Sequence, residues 1–272
     1  MRISGAVAVV TGASSGIGAA TAVELASRGA RVVAVARRED RLRDVVERIG
    51  GGATYAVCDV ASDRQVDAAA AEVLARHGHI DLLVNNAGTP LHRALGDSSV
   101  ADVAHVMDVN YLGQVRWMKA VLPSMTRRGR GSIVNVASAA GAAPWTWEAA
   151  YSASKAAVLA LTEASAPELA RQGVHCAWVN PGLVRTEIFS AEALRHVPPR
   201  VRRTFIEPEV VARAICALVE REGAGVSVPR AIGFPPVVRQ VLPRLYRAGL
   251  RRTYEGTLRR DANGDATTQE DG

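Results

Sequence analysis

The sequence is poor in lysine. Of its 33 lysine and arginine residues, only Lys119 and Lys155 are lysines. Lysine carries a compact charge whose pKa responds to its surroundings, whereas arginine is a broad fork that stays charged. A lysine retained in such a sequence therefore marks a position where arginine does not suffice. Lys155 fits that description because it follows Tyr151 by four residues, in the segment Y-S-A-S-K.

Cysteine, metal-ligand patterns and long apolar runs are scarce as well. Cys58, Cys176 and Cys216 are isolated, with no C-x-x-C pair, which is typical of a reducing compartment and excludes a disulfide framework. No zinc-type ligand spacing occurs, and we expect no metal site. The first apolar run is too short for a signal peptide, and none reaches the roughly 20 residues of a membrane span. The sequence therefore predicts a cytoplasmic protein.

Aromatic residues make up only 4% of the chain, and the net charge is +6. A basic balance can indicate nucleic acid, an acidic membrane surface or an anionic ligand. Here the arginines are spread over the predicted helices, with clusters in residues 195–203 and 230–260. Because no basic run is interleaved with aromatic residues, we expect no nucleic-acid binding.

Short apolar runs alternate with longer amphipathic segments. Runs rich in valine and isoleucine indicate strands buried on both faces, as in a parallel sheet. The alternation predicts an α/β fold with a single doubly wound Rossmann-type domain, its parallel sheet flanked by helices. We assign this domain to residues 1–230, a basic amphipathic extension to 231–260 and a disordered tail to 261–272. The predicted strands are 6–10, 31–36, 54–58, 81–84, 132–137, 175–180 and 226–228, and the predicted helices are 17–28, 41–49, 64–77, 100–128, 151–171 and 207–220.

A glycine-rich segment, T-G-A-S-S-G-I-G at residues 11–18, follows the first strand and opens the first helix. Glycines permit a tight turn, and the free N–H groups at a helix start form an anion site. The segment lacks the lysine of a P-loop, so a dinucleotide pyrophosphate is the expected ligand. The residues expected to hold it are Gly12, Ser14, Ser15, Gly16, Ile17 and Gly18.

The same segment also matches G-x-S-x-G, which would make Ser14 the nucleophile of a serine hydrolase. That enzyme would need an acid and then a histidine later in the chain. His175 and His196 are available, but no sequence context selects either of them. We keep this hypothesis as an alternative of low weight.

The spacing of Tyr151 and Lys155 places both on one face of a helix. A neighbouring ammonium favours the phenolate, so it lowers the phenol pKa from about 10 toward neutrality. Tyr151 is therefore a candidate general acid and base. The alternative is a surface pair without chemistry.

Several motifs follow one another along the chain: the glycine loop, N-N-A-G at 85–88, Asn110, Ser138, Tyr151, Lys155 and P-G at 181–182. With these motifs in this order, the chain resembles the short-chain dehydrogenase/reductase family over residues 6–189. The resemblance implies that Tyr151 exchanges a proton with the substrate oxygen and that Lys155 lowers its pKa and holds the nicotinamide ribose. It implies that Ser138 donates a hydrogen bond to that oxygen and that Asn110 fixes a relay water. A homodimer or homotetramer is also implied. The remaining cofactor contacts that it implies are Asp59, Val60, Asn86, Ala87, Gly88, Pro181, Gly182 and Thr186.

The residues after the second predicted strand bear on the choice of cofactor. NAD sites place an acid about 20 residues past the glycine loop, where it holds the ribose 2′-hydroxyl. Here Ala36 is followed by Arg37 and Arg38, which would attract a 2′-phosphate. We therefore predict NADP(H), with NAD(H) as the alternative. The arginines could instead reflect the general arginine excess, and Asp40 lies too late unless the register shifts.

Two further segments bear on the substrate and partners. Trp145, Trp147 and Phe189, with a lid over residues 188–201, predict an apolar carbonyl or alcohol substrate. Packing under a neighbouring loop is the alternative for the tryptophans. Residues 235–254 mix arginine with leucine and valine, which favours self-packing or a subunit contact over peripheral membrane contact.

The sequence thus predicts an NADP(H)-dependent oxidoreductase that transfers a hydride between nicotinamide and a carbonyl or secondary alcohol. A catalytically silent dinucleotide-binding sensor or scaffold is the main alternative, followed by the serine hydrolase.

Overall fold

The strands of this chain form one parallel sheet. The computed structural model describes residues 1–189, 194, 197 and 199–267, with side chains at all of these except 199, 200 and 260–267. The strands are β1 (Val7–Thr11), β2 (Arg31–Ala36), β3 (Thr54–Val57), β4 (Leu82–Asn85), β5 (Gly131–Val136), β6 (Val174–Pro181) and β7 (Gly225–Val228). They lie side by side in the order β3-β2-β1-β4-β5-β6-β7. This order reverses between β1 and β4, as in a doubly wound sheet.

Both faces of the sheet are buried. Along β1, Val7 and Val9 pack into one apolar cluster and Ala8 and Val10 into another. The helices of the described residues are α1 (Gly16–Ser27), α2 (Glu39–Ile49), α3 (Asp63–His77), α4 (Val100–Met107), α5 (Gly113–Arg128), α6 (Ala139–Ala142), α7 (Ala149–Ala170), α8 (Pro199–Arg202), α9 (Pro208–Arg221), α10 (Phe234–Val241) and α11 (Pro243–Thr267). The face with Ala8 and Val10 is covered by α1, α2 and α9, and the face with Val7 and Val9 by α3, α5 and α7.

The predicted doubly wound architecture is confirmed, and the bounds of its elements agree to within a few residues. The main difference lies in residues 100–128, where one helix was predicted. A π-helical turn, Asp108–Leu112, separates α4 from α5. Such a turn holds an extra residue and re-aims the side chains on it. Here it directs Asn110 into the interior, where the residue is fully buried.

The C-terminal helices pack against the loop between β5 and α7. Arg239 donates a hydrogen bond to the carbonyl of Ala142, and the Tyr246 hydroxyl donates one to the carbonyl of Pro144. The last helix continues to Thr267, into the segment that the sequence predicts to be disordered, and residues 268–272 lie outside the described part of the chain. No helix in the described ranges is long and apolar enough to span a bilayer. Half of the predicted lid, seven of the 14 residues in 188–201, also lies outside the described part of the chain.

Candidate active site

A cavity of about 680 Å³ opens where β1 to β6 end. Ligands of open parallel sheets bind beyond the carboxyl ends of the strands. This cavity brings together nearly all of the side chains and loop residues predicted from the sequence. Those that line it are Gly12, Ser14, Ser15, Gly16, Ile17, Arg37, Arg38, Asp59, Val60, Asn86, Ala87, Gly88, Ser138, Trp145, Tyr151, Lys155, Pro181, Gly182, Thr186 and Phe189. Gly18, Asn110 and Trp147 do not line it.

The glycine loop is tied to the end of β4. The Thr11 hydroxyl accepts hydrogen bonds from the backbone N–H groups of Asn86 and Ala87, at 2.9 and 3.0 Å. The Asn86 side-chain amide donates in return to the carbonyls of Thr11 and Gly12. The Ser15 side chain makes no capping hydrogen bond at the start of α1. The first N–H groups of α1 therefore keep their donor capacity for an anion in the cavity.

Gly18, in the first turn of α1, packs closely against the backbone of this loop. A Cβ atom at this position would lie 2.2 Å from the carbonyl oxygen of Gly12 and 2.5 Å from the Asn86 amide nitrogen. Contacts this short cannot be relieved without moving the loop backbone. Gly18 thus lets α1 approach the loop closely, although it does not itself face the cavity.

Arginine side chains surround the outer end of the loop. The Arg38 guanidinium donates to the hydroxyls of Ser14 and Ser15, at 3.1 and 2.7 Å, and pairs with Glu187 at 3.0 Å. Arg41 approaches the other carboxylate oxygen of Glu187 at 3.9 Å. Two guanidinium groups therefore converge on one anion beside the glycine loop. Arg37 does not pair with Glu187, and its guanidinium lies 4.0 Å from the Asp59 carboxylate.

The three residues of the predicted proton-transfer set lie where β5 meets α7. Ser138 follows β5 and accepts a hydrogen bond from the backbone N–H of Ala140. Tyr151 lies in the first turn of α7. Lys155 lies one turn later and is 3% exposed, with its Nζ 2.9 Å from the carbonyl oxygen of Val136 and 5.8 Å from the centroid of the Tyr151 ring.

Burial controls the protonation of this pair. It lowers the pKa of Lys155 to about 8. Burial also raises the pKa of Tyr151, the charge of Glu148 raises it further, and a hydrogen bond with Ser138 acts in the opposite direction. The net shift of the Tyr151 pKa is therefore upward, opposite to the predicted lowering, because desolvation and the charge of Glu148 outweigh the hydrogen bond with Ser138. At neutral pH the phenol is protonated.

Asn110 lies behind this pair. Its side chain donates to the carbonyl of Thr89 and the hydroxyl of Ser154, both at 3.0 Å, and accepts from the N–H of Thr89. A Cβ atom at Gly88 would lie 3.2 Å from the Asn110 Oδ1 and 3.5 Å from the Lys155 Nζ. Asn110 therefore fixes the backbone beside Lys155. Its predicted role in holding a relay water stays a prediction.

Aromatic groups line the far end of the cavity. Phe189 stacks on His92 at a ring distance of 5.3 Å and meets Phe205 edge-on. Trp145 lines the cavity, but Trp147 packs against Tyr254 of α11, with ring centroids 5.4 Å apart. Trp147 thus takes the alternative place anticipated for it, under a neighbouring segment.

The serine hydrolase arrangement is not formed among the described residues. The Ser14 hydroxyl accepts from Arg38, whereas the ring nitrogens of His175 lie near the Ser132 hydroxyl and the carbonyl of Gly223. His175 is also at the opposite end of β6 from the cavity. His196, the second candidate, lies outside the described part of the chain.

Comparison with known proteins identifies the family. The family sequence model described as short chain dehydrogenase matches residues 6–195. The chain belongs to the short-chain dehydrogenase/reductase family. A putative ketoacyl reductase of Streptomyces coelicolor is 36% identical over 246 residues, covering 81% of this chain and 92% of the relative.

Solved structures of short-chain dehydrogenases/reductases agree. One from Burkholderia phymatum in complex with NAD has a TM-score of 0.82 at 30% identity, covering 90% of this chain and 96% of that chain. A variant of actinorhodin polyketide ketoreductase with NADPH has a TM-score of 0.73 at 34% identity, and the match covers 82% of this chain and 95% of that chain. This short-chain dehydrogenase/reductase is therefore an oxidoreductase whose cofactor is a nicotinamide dinucleotide. The loop fits that group, because its glycines leave no room for a Cβ and its helix start keeps free donors.

Several residues of the site were not predicted from the sequence. Glu148 pairs with His92 at 2.9 Å beside Tyr151, and Glu187 pairs with Arg38. Glu148 could have been found, since it precedes Tyr151 by three residues at the start of the same helix. Three C-terminal residues also line the cavity, and no local signal relates them to it: Ile232, Pro235 and Tyr246.

The close approach at Gly18 gives a first prediction. Gly18→Ala should weaken dinucleotide binding by at least about tenfold, because the new methyl group displaces the loop that holds the pyrophosphate. Isothermal titration with NADP⁺ and NAD⁺ measures the change. Gly96→Ala is the matched control, since a Cβ at that position meets no atom within 4 Å. Equal dissociation constants for Gly18→Ala and the unaltered protein would contradict this role.

Proposed function

We propose that this short-chain dehydrogenase/reductase is an NADP(H)-dependent carbonyl reductase, and in the reverse direction a secondary-alcohol dehydrogenase, with Tyr151 as general acid and base. The observation that carries the proposal is the position of Ser138, Tyr151 and Lys155 in one cavity with the glycine loop. This constellation places a proton donor near the end of the cavity that a nicotinamide ring would reach from that loop.

Tyr151 and its neighbours have separate tasks in this proposal. The nicotinamide supplies the hydride. Tyr151, kept protonated by burial and by Glu148, donates its proton to the carbonyl oxygen, and Ser138 holds that oxygen with a second hydrogen bond. Lys155 remains largely charged below its pKa of about 8 and is placed to bind the ribose hydroxyls and to stabilise the phenolate once the proton has left. The reverse direction uses the phenolate as the base.

The preference for NADP(H) is supported by the arginines beside the loop. Arg38 contacts both serine hydroxyls of the loop and, with Arg41, holds the Glu187 carboxylate. A ribose 2′-phosphate carries more charge than a carboxylate, and it would take hydrogen bonds from the same guanidinium. In this proposal Glu187 is a competitor that the phosphate displaces.

The substrate class is inferred from the far end of the cavity. Trp145, Phe189, Ile232 and Tyr246 offer mainly apolar surface there, and the Glu148 carboxylate is held by the His92 ring nitrogen at 2.9 Å. An apolar carbonyl compound fits these walls better than a sugar or a charged acid. The ketoacyl and polyketide ketoreductases among the similar proteins also reduce carbonyl groups, in agreement with this class.

The reaction is tested by NADPH oxidation over a panel of aliphatic and aromatic ketones and aldehydes. Tyr151→Phe should lower kcat by about 10²- to 10⁴-fold, the usual contribution of a general acid. Tyr55→Phe is the control, because that hydroxyl bonds Glu39 on the surface. A Tyr151→Phe variant with unchanged turnover would refute the role of Tyr151. Inactivity of the unaltered protein over the whole panel would favour the silent sensor or scaffold.

Cofactor preference is tested by two substitutions with opposite effects. Arg38→Ala should raise KM for NADPH by about 10- to 100-fold, the value of a lost charged hydrogen bond, and change KM for NADH much less. Glu187→Gln should lower KM for NADPH because it removes the competing anion. Arg43→Ala is the control, since Arg43 lies on α2, the helix that follows Arg38, and pairs with Glu39. A kcat/KM for NADH equal to or above that for NADPH would contradict the proposal.

The pH dependence of reduction tests the effect of Glu148. Reduction needs a charged Lys155, whose pKa is about 8, and a protonated Tyr151, so the rate falls as the pH rises past about 8 and falls again as it rises through the pKa of Tyr151. Glu148 raises the pKa of Tyr151. Glu148→Gln should therefore move the second, more alkaline limb of the kcat/KM profile to lower pH. Glu163→Gln makes the same change on an exposed part of α7 and should leave the limb in place. A limb that stays, or moves to higher pH, in Glu148→Gln would be incompatible with this assignment.

A further inference from the structure

Helices α10 and α11 expose a row of large apolar side chains, here called the C-terminal patch. It consists of Phe234, Val237, Val241, Leu242 and Leu245, which are 69, 51, 70, 52 and 61% exposed. Phe234, Val237 and Val241 have the spacing of one helix face. Single exposed apolar residues are ordinary, but a continuous set marks an interaction surface.

The same segment is anchored on its other side to the active-site loop. Arg239 and Tyr246 bond the carbonyls of Ala142 and Pro144, and Ile232 and Pro235 line the cavity together with Tyr246. Self-packing, which the sequence favours together with a subunit contact, thus accounts for one side of this segment. The patch remains exposed, and its Phe234 and Leu245 directly precede the cavity-lining Pro235 and Tyr246 in the sequence.

The charge of residues 230–260, which include the patch, is almost entirely positive. Residues 230–260 contain one acid, Glu255, and it already pairs with Arg251 at 2.7 Å. The occupant of this surface should therefore be anionic. The basic residues of the segment are Arg230, Arg239, Arg244, Arg247, Arg251, Arg252, Arg259 and Arg260.

A second copy of the chain is a poor occupant. In a two-fold interface the same surface faces itself, which would bring the two arginine sets together with only Glu255 to oppose them. An acidic protein would match the charge. A lipid surface matches both features, because apolar side chains enter the acyl boundary while arginines bind the phosphates.

We propose that the C-terminal patch docks this protein peripherally on a membrane surface rich in anionic lipids. The rim of the substrate cavity then lies against the lipid, so that an apolar carbonyl compound dissolved there reaches Tyr151 without crossing water. The docking itself does not depend on the reaction, whereas this substrate route rests on the proposed function.

Flotation of the full-length protein with vesicles tests the docking. We expect binding to vesicles of phosphatidylcholine mixed with phosphatidylglycerol, little binding to phosphatidylcholine alone, and release at high salt, which screens the arginines. Val241→Ser/Leu245→Ser should weaken binding by at least about tenfold, since both side chains leave the acyl boundary. Val100→Ser is the matched control, because Val100 is 86% exposed outside the patch.

The outcomes separate the possible occupants. Turnover of a water-soluble ketone should be unchanged in the double variant, which checks its fold. Arg244→Ala/Arg247→Ala gives a second, charge-based variant that should also lose vesicle binding. Flotation that is absent, equal on neutral vesicles or unchanged in both variants would overturn the proposal. So would a dimer that the patch variants dissociate, or binding confined to acidic proteins. Because flotation needs no turnover, failure of the proposed reaction would leave its result intact.

Discussion

The site depends on how closely the start of α7 can approach the end of β5. A Cβ atom at Gly141 would lie 2.6 Å from the carbonyl carbon of Lys155, so only glycine lets α6 rest on the backbone of α7. This contact sets Ser138, which caps α6, beside Tyr151. It also buries Lys155 against the carbonyl of Val136. One backbone contact therefore fixes the positions of all three groups, and the burial that it produces also sets their protonation.

That burial favours one direction of proton transfer. An ammonium next to a phenol lowers the phenol pKa in water, but desolvation penalises both charged forms. Here the pKa of Tyr151 rises while that of Lys155 falls to about 8, and Glu148 adds a negative charge that further disfavours the phenolate. A donor that holds its proton at neutral pH is suited to reducing a carbonyl. The His92–Glu148 pair thus links the aromatic lining of the cavity to Tyr151, the proposed proton donor, since His92 also stacks on Phe189.

Most of the fold and the cofactor side of the site could be predicted from the sequence. Valine-rich runs mark strands buried on both faces, and the loop after β1 is set by the spacing of its glycines. Contacts between distant segments could not be predicted. The π turn that buries Asn110 leaves no mark in the spacing of apolar residues along the sequence. Nothing in the sequence near Tyr246 indicates that it lines the same cavity as Tyr151. Trp147 takes the alternative position, packed against Tyr254, and its place in the loop could not decide between the two positions because Tyr254 is distant in the sequence. The sign of the Tyr151 shift was missed because spacing does not reveal burial.

The C-terminal segment has two sides with different surroundings. Its inner side completes the apolar wall of the cavity with Ile232, Pro235 and Tyr246, and its outer side carries aliphatic groups among arginines. An apolar wall alone would be satisfied by a short helix with a polar outer face, as amphipathic helices usually provide. Val241 and Leu245 are 70% and 61% exposed, and an exposed set of large apolar side chains is typical of an interaction surface. The proposed anionic lipid surface would bury these side chains while also pairing the arginines, and it would place the source of the proposed apolar substrate next to the segment that lines the cavity.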